Sequence, residues 1–246
     1  EIHAAHGYLL SSSLSPRINN RKDKWGGSFE NRARLLQLIL QKVRESVGNN
    51  FILAVKINSS DFQKGGLEIS DSVKIANLIE KENIDFIEVS GGNFEAPEAY
   101  QYVSLKESTK SREAYFLDAA KNIKASVSIP IMVTGGFRSI SVMEDALTSS
   151  STDLIGIGRP FVIDPSFPYK LLNGDISVLP AVERNFPPAQ DIPKGAVLNW
   201  FCDQLAIQGK TGKGDINIPL LDGHERYIKQ SDEATHNLIS FRNNNK

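Results

Sequence analysis

Only one cysteine, Cys202, occurs in 246 residues, so no disulfide can form within the chain. That suits a reducing compartment, and the cytoplasm is the expected location. Cys202 lies among Leu198, Trp200, Phe201 and Leu205 on a helix and reads as a small buried apolar residue rather than a reactive thiol. A basic surplus is also lacking: 28 Lys plus Arg face 29 Asp plus Glu, for a net charge of −1. Nucleic-acid binding and attachment to a membrane surface both need such a surplus, so neither is expected. No apolar run approaches the roughly 20 residues that span a bilayer. The opening Glu1-Ile2-His3 is not the basic and then apolar start of a signal peptide, and there is no initiator Met. These first residues look like the end of a strand running into a functional loop, so upstream sequence is expected to be missing. Asn58-Ser59-Ser60 matches a glycosylation acceptor and is read as chance.

What is present is an alternation of helices and strands. Ser28 can cap a helix from about Phe29 to Val47, in which Leu35, Leu36, Ile39, Leu40, Val43 and Val47 recur at helical spacing until Gly48. Phe51 to Ile57 reads as a buried strand, Ser70 to Lys81 as a helix, and Ile84 to Val89 as the next strand. A long polar loop covers roughly Gly91 to Ser111. A helix from about Arg112 to Ala125 follows, then a strand over Ile129 to Val133, a helix over Ser139 to Thr148 and a strand over Asp153 to Ile157. A short helix is expected near Pro165 and Ser166. Strands alternating with helices mean parallel βαβ units, and these strands read as apolar on both faces. Counting the tail at Glu1 to His3, the pattern suits part of a closed eight-stranded barrel or an open sheet of about five strands. Residues 1–175 form the barrel portion in this reading. Residues 176–246 form a Pro-rich extension with one helix over Lys194 to Ile207, packing on the barrel or on another subunit, and Arg242 to Lys246 is expected to be disordered.

In βα-barrels, chemistry sits at the C-terminal ends of the strands. Gly135-Gly136 and Gly158-Arg159 follow the last two strands. Glycines admit an anion close to the backbone amides, and an Arg adds a charged fork, so the two pairs together suit a phosphate. Taken alone, each pair equally suits a tight turn. Lys56 can point inward with Ala54 and Asn58, where it pairs with an anion, forms a Schiff base, or stays a solvated charge. His3, His6 and Tyr8 cluster within the first loop. Two imidazoles and a phenol can hold an oxyanion and supply a proton. A two-His metal site and two structural histidines are the rival readings.

The stretch EIHAAHGYLLSSSLSPRINNRKDKWGGSFENRARLL, Glu1 to Leu36, resembles the strongest signature of the Old Yellow Enzyme family, including its 2,4-dienoyl-CoA-reductase-like and NADH:flavin oxidoreductase branches. The resemblance continues through AVKINSSDF, IEVSGG, VTGGF and IGRPFVIDP, over roughly Glu1 to Leu172. It departs at Ser13, Lys22 and Lys24-Trp25, where the family usually has an aromatic or Gln, Thr, and Glu-Tyr. It implies a (β/α)8 barrel lacking its first three strands, binding FMN and using NAD(P)H. By position, His3 and His6 match the pair that holds the carbonyl oxygen of an activated alkene, and Tyr8 matches the acid that protonates its α-carbon. Lys56 stands where many members have an Arg beside the flavin N1 and C2 carbonyl. Gly135, Gly136, Gly158 and Arg159 match the family's FMN-phosphate loops.

The implied activity is reduction of the C=C bond of an α,β-unsaturated carbonyl compound by an FMN-dependent NAD(P)H oxidoreductase. The implied partner is a small enone-type substrate, with oligomeric state left open. Two other readings stand beside it. One is a phosphate-binding barrel lyase using Lys56 as its amine. The other is a non-catalytic half-barrel fragment without bound cofactor and with exposed strand edges.

Overall fold

A computed structural model describes residues 1–93 and 113–244. They pack as two compact units, one holding residues 1–93 and 113–157, the other 158–244. The first is built on a five-stranded, wholly parallel sheet with the strands in chain order. These are β1 (Ile2–Ala4), β2 (Ala54–Asn58), β3 (Phe86–Ser90), β4 (Ile131–Thr134) and β5 (Leu154–Gly156). Parallel neighbours joined in sequence by helices are the wiring of a (β/α)8 barrel. Among the described residues, β1 and β5 each have a strand on one side only.

Helix α1 (Leu9–Leu14) follows β1, and α2 (Phe29–Val47) follows it. Ser28 caps α2 by accepting a hydrogen bond from the Asn31 amide at 3.4 Å, and Gly48, at φ +76°, ends it. Ala33, Leu36 and Leu40 form its buried stripe. Helices α3 (Ile69–Glu80), α4 (Leu117–Lys124) and α5 (Ile140–Thr148) complete the unit. Two elements start three or more residues later than the sequence suggests. The strand expected from Phe51 begins at Ala54, and Phe51 and Ile52 are exposed, because hydrophobicity alone does not mark where pairing starts. The helix expected from Arg112 begins at Leu117. Most of the Gly91 to Ser111 loop lies outside the described residues.

The sheet's two faces differ, which corrects the expectation of strands apolar on both sides. One face stacks Val55 on Ile87 on Ile131, and Ile57 on Val89 on Val133, all fully buried. The other carries His3, Lys56 and Glu88 in one cross-strand row and Asn58 beside Ser90 in the next. Period-2 alternation therefore gives an apolar face and a polar face, and the polar one holds the chemistry. Asn58 is buried and fully engaged, so its glycosylation pattern has no structural counterpart.

The second unit contains α6 (Arg159–Ile163), α7 (Phe167–Leu172), 3-10 turns at Val182–Asn185 and Ala189–Asp191, α8 (Ala196–Thr211) and α9 (Leu220–Asn244). Ile163, Ala196, Val197, Trp200, Phe201 and Leu220 form its core. The Trp200 indole N–H donates to the Ile218 carbonyl at 3.0 Å, which satisfies the polar end of a buried ring. Several expectations change here. Helix α8 runs on through Gly209–Thr211, and α9 takes in Arg242, placed in a disordered tail by the sequence reading. Cys202 is only half-buried, while Leu198 and Leu205 are exposed. Among the described residues no helix is long and apolar enough to cross a membrane.

Candidate active site

His3 stands in β1, and the chain turns immediately after it. His6 and Gly7 both take positive φ, at 64° and 76°. A left-handed backbone is uncommon outside glycine, and Asn is among the side chains that tolerate it best. The turn returns Tyr8 over β1. The His3 and His6 rings then lie edge-on at 5.2 Å between centroids, and the His3 and Tyr8 rings lie tilted at 5.1 Å. The three side chains singled out in the first loop therefore share one place, with His3 between the other two. Tyr8 is half-exposed, as a group meeting a ligand from solvent must be.

A polar scaffold fixes this turn. The His6 amide donates to Asn58 Oδ1 at 3.0 Å, and His6 Nε2 lies 2.8 Å from Ser90 Oγ. Asn58 Nδ2 donates to Asp61 Oδ1 at 2.9 Å and to the Gly92 carbonyl at 3.0 Å. Asp61 also accepts from Ser15 Oγ and the Leu67 amide, both at 2.9 Å. Asp61 is 1% exposed, so its oxygens are satisfied by these donors rather than by water. Glu88, Ser90 and Asp61 escaped the sequence reading, which placed Asn58 on the inward face without giving it a role. Alternation along IDFIEVS would have placed Glu88 and Ser90 on the same face as Lys56 and Asn58.

Lys56 points inward and is paired: its Nζ lies 2.8 Å from Glu88 Oε1, with side-chain exposures of 18% and 6%. The pair acts on the imidazoles beside it. Burial, then the nearby Lys56 cation, push the His6 pKa down to about 3, with Glu88 opposing. Burial and Lys56 also lower His3 from its ordinary value, again against Glu88. Both rings are therefore neutral near neutral pH, each with one N–H to donate. Among the described residues no cluster of three metal-ligating side chains forms.

Gly135 and Gly136 follow β4 with φ of 151° and 86°. A Cβ at Gly135 would come within 2.6 Å of the Phe116 ring, and one at Gly136 within 2.7 Å of the Tyr115 ring. Both positions thus need glycine for backbone and packing together. Just beyond, the Glu113 carboxylate accepts from the Arg138 and Ser139 amides at 2.7 and 2.8 Å and fixes the start of α5. Gly158 and Arg159 open the second unit. A Cβ on Gly158 would meet nothing within 4 Å. Arg159 NH1 lies 3.1 Å from the buried Glu183 carboxylate, and its guanidinium sits 5.7 Å over the Phe201 ring.

The NADH:flavin oxidoreductase / NADH oxidase family pattern matches residues 1–175. The chain belongs to this family. It is 37% identical over 190 residues to an NADH-dependent flavin oxidoreductase of Aspergillus parasiticus, covering 75% of this chain and 41% of that protein. It is 37% identical over 168 residues to an NADPH dehydrogenase of Bacillus pumilus, covering 68% and 46%. Among solved structures, a 2-naphthoyl-CoA reductase in complex with 2-naphthoyl-CoA superposes with a TM-score of 0.65 at 34% identity, over 72% of this chain and 27% of that one. Morphinone reductase in complex with tetrahydroNAD shares the fold at a TM-score of 0.54 and 18% identity, over 71% and 43%. The chain thus spans less than half the length of these relatives. The fold is that of the family's TIM barrel, of which the described residues form five parallel strands. FMN with NADH or NADPH is the cofactor set that the family and these relatives support.

Proposed function

We propose that this chain carries the substrate site of an FMN-dependent NAD(P)H oxidoreductase that reduces the C=C bond of α,β-unsaturated carbonyl compounds. The observation that carries the reading is the gathering of His3, His6 and Tyr8 over the polar face of the sheet. Two neutral N–H donors suit a carbonyl oxygen that gains negative charge in the transition state, and a phenol suits proton delivery beside it. FMN, when bound, would supply the hydride chemistry for the β-carbon of the alkene, with NAD(P)H as its reductant. His3 and His6 hold the carbonyl oxygen, and Tyr8 gives its proton to the α-carbon, so one hydride and one proton saturate the double bond.

The residues present fit the cofactor. Ser59, directly after β2, buries a hydroxyl oxygen with no hydrogen-bond partner among the described residues, a group that a ligand at the strand ends would satisfy. Lys56 supplies positive charge on the same face as the imidazoles. In this reading Lys56 borders the flavin ring. The phosphate is assigned through the family signature to the Gly135 and Gly136 backbone. Residues 1–175 are then the barrel portion and 176–246 an extension to it, in a cytoplasmic enzyme. The Schiff-base alternative fares worse, because Lys56 is engaged by Glu88 instead of being presented to a carbonyl.

A half-barrel fragment without cofactor is the second reading, favoured by the open sides of β1 and β5. Loading the purified protein with FMN and removing the excess separates the two. A retained flavin band near ~450 nm that NAD(P)H bleaches supports the oxidoreductase reading. A colourless protein overturns it in favour of the fragment.

A further inference from the structure

Glu88 is the one charged residue of β3, and it is 4% exposed. A carboxylate so buried persists as an anion only when paired. Its partner is Lys56, directly opposite in the strand register, and the row continues to His3. Glu1 also hydrogen-bonds to Glu88. An unpaired cation beside a flavin favours the reduced cofactor, whose ring gains negative charge, over the oxidised one. A carboxylate 2.8 Å from that cation turns its field into that of a short dipole, which fades far faster with distance.

Resting on the functional reading above, we propose that Glu88 is the buried counter-ion that limits how much of the Lys56 charge the bound flavin feels, so that the Lys56–Glu88 pair sets the flavin's reduction potential. Glu88 is thus a tuning residue that acts through Lys56. Burial, then its hydrogen bond to Glu88, push the Glu1 carboxyl up to about 7, so near neutrality Glu1 adds about half of a second negative charge to the row. For Glu88 burial acts upward, but its bonds to Glu1 and Lys56 bring it below the ordinary carboxylate value, and it stays ionised.

The test is the potential of bound FMN, read against a reference dye, in the wild type, Glu88→Gln, Lys56→Gln and the double variant. Glu88→Gln is expected to favour reduced FMN about tenfold, a rise of about 30 mV for a two-electron couple. Lys56→Gln removes the cation and, with it, the partner that keeps the buried Glu88 ionised, so it lowers the potential, and the double variant lies beside Lys56→Gln. A merely structural Glu88 would alter stability and leave the potential in place. If Glu88→Gln does not fold, Glu88→Asp, whose shorter side chain draws the carboxylate back from Lys56, must lie above the wild type. Bound flavin with an unmoved or lowered potential on loss of the carboxylate overturns the role of Glu88. A wild type that retains no FMN overturns the functional reading itself, and this inference with it.

Discussion

His6 Nε2 lies 2.8 Å from Ser90 Oγ, although 84 residues separate them along the chain. The contact ties the turn after β1 to the end of β3, and the His6 amide ties it to Asn58 at the end of β2. A histidine at positive φ costs backbone energy, and these bonds over-determine its position. The imidazole is thereby aimed beside His3 before any substrate arrives.

Asp61 is the hub of that scaffold, so Asp61→Ala should act at a distance. It leaves Asn58 Nδ2, Ser15 Oγ and the Leu67 amide each short of an acceptor. A cost of about 2–4 kcal/mol is expected in urea unfolding. A cost under about 0.5 kcal/mol would show that water replaces the carboxylate and that the scaffold is not specific.

Acid should destabilise the fold through His6. Its folded pKa, pushed down to about 3 by burial and Lys56, lies below its ordinary 6.5. Between those values the unfolded chain binds a proton that the folded chain refuses. Stability is therefore complete above about pH 6.5 and is lost as the pH falls toward about 3. The His6 share amounts to about 3 kcal/mol by about pH 4.5. His6→Asn, which suits the left-handed backbone, should flatten that limb of a stability-against-pH curve. An unchanged limb would assign the acid sensitivity elsewhere.

Removing the cap of α2 tests the local code. Ser28→Ala should cost about 1 kcal/mol and lower Tm by a few degrees, with no effect on FMN retention. A neutral substitution would mean that tertiary packing of Leu36 and Leu40 alone defines the start of this helix.

Helix α2 was legible because its signals are local: a capping serine, an apolar stripe and a terminal glycine. The parallel βαβ wiring followed from the alternation of elements, which left a barrel and an open sheet both standing until the family resemblance chose the barrel, and the trio of His3, His6 and Tyr8 followed from their closeness in one loop. Glu88 was not legible as a partner of Lys56, because 32 residues separate them and only the strand register brings them together. Phe51 and Ile52 misled because their hydrophobicity precedes the strand instead of marking it. Helix α9 escaped notice for the opposite reason, since most of its residues from Lys229 onward are exposed and leave no core-facing stripe to read.

The most direct test of the central claim is the anaerobic reoxidation of NAD(P)H-reduced, FMN-loaded protein by an enone, followed by stopped-flow absorbance for the wild type and Tyr8→Phe. If Tyr8 delivers the proton to the α-carbon, the wild type reoxidises, and Tyr8→Phe does so about 10²–10⁴-fold more slowly while being reduced by NAD(P)H at an unchanged rate. Equal reoxidation rates in the two proteins would contradict the assignment of Tyr8, and with it the reading of His3, His6 and Tyr8 as an alkene-reducing site.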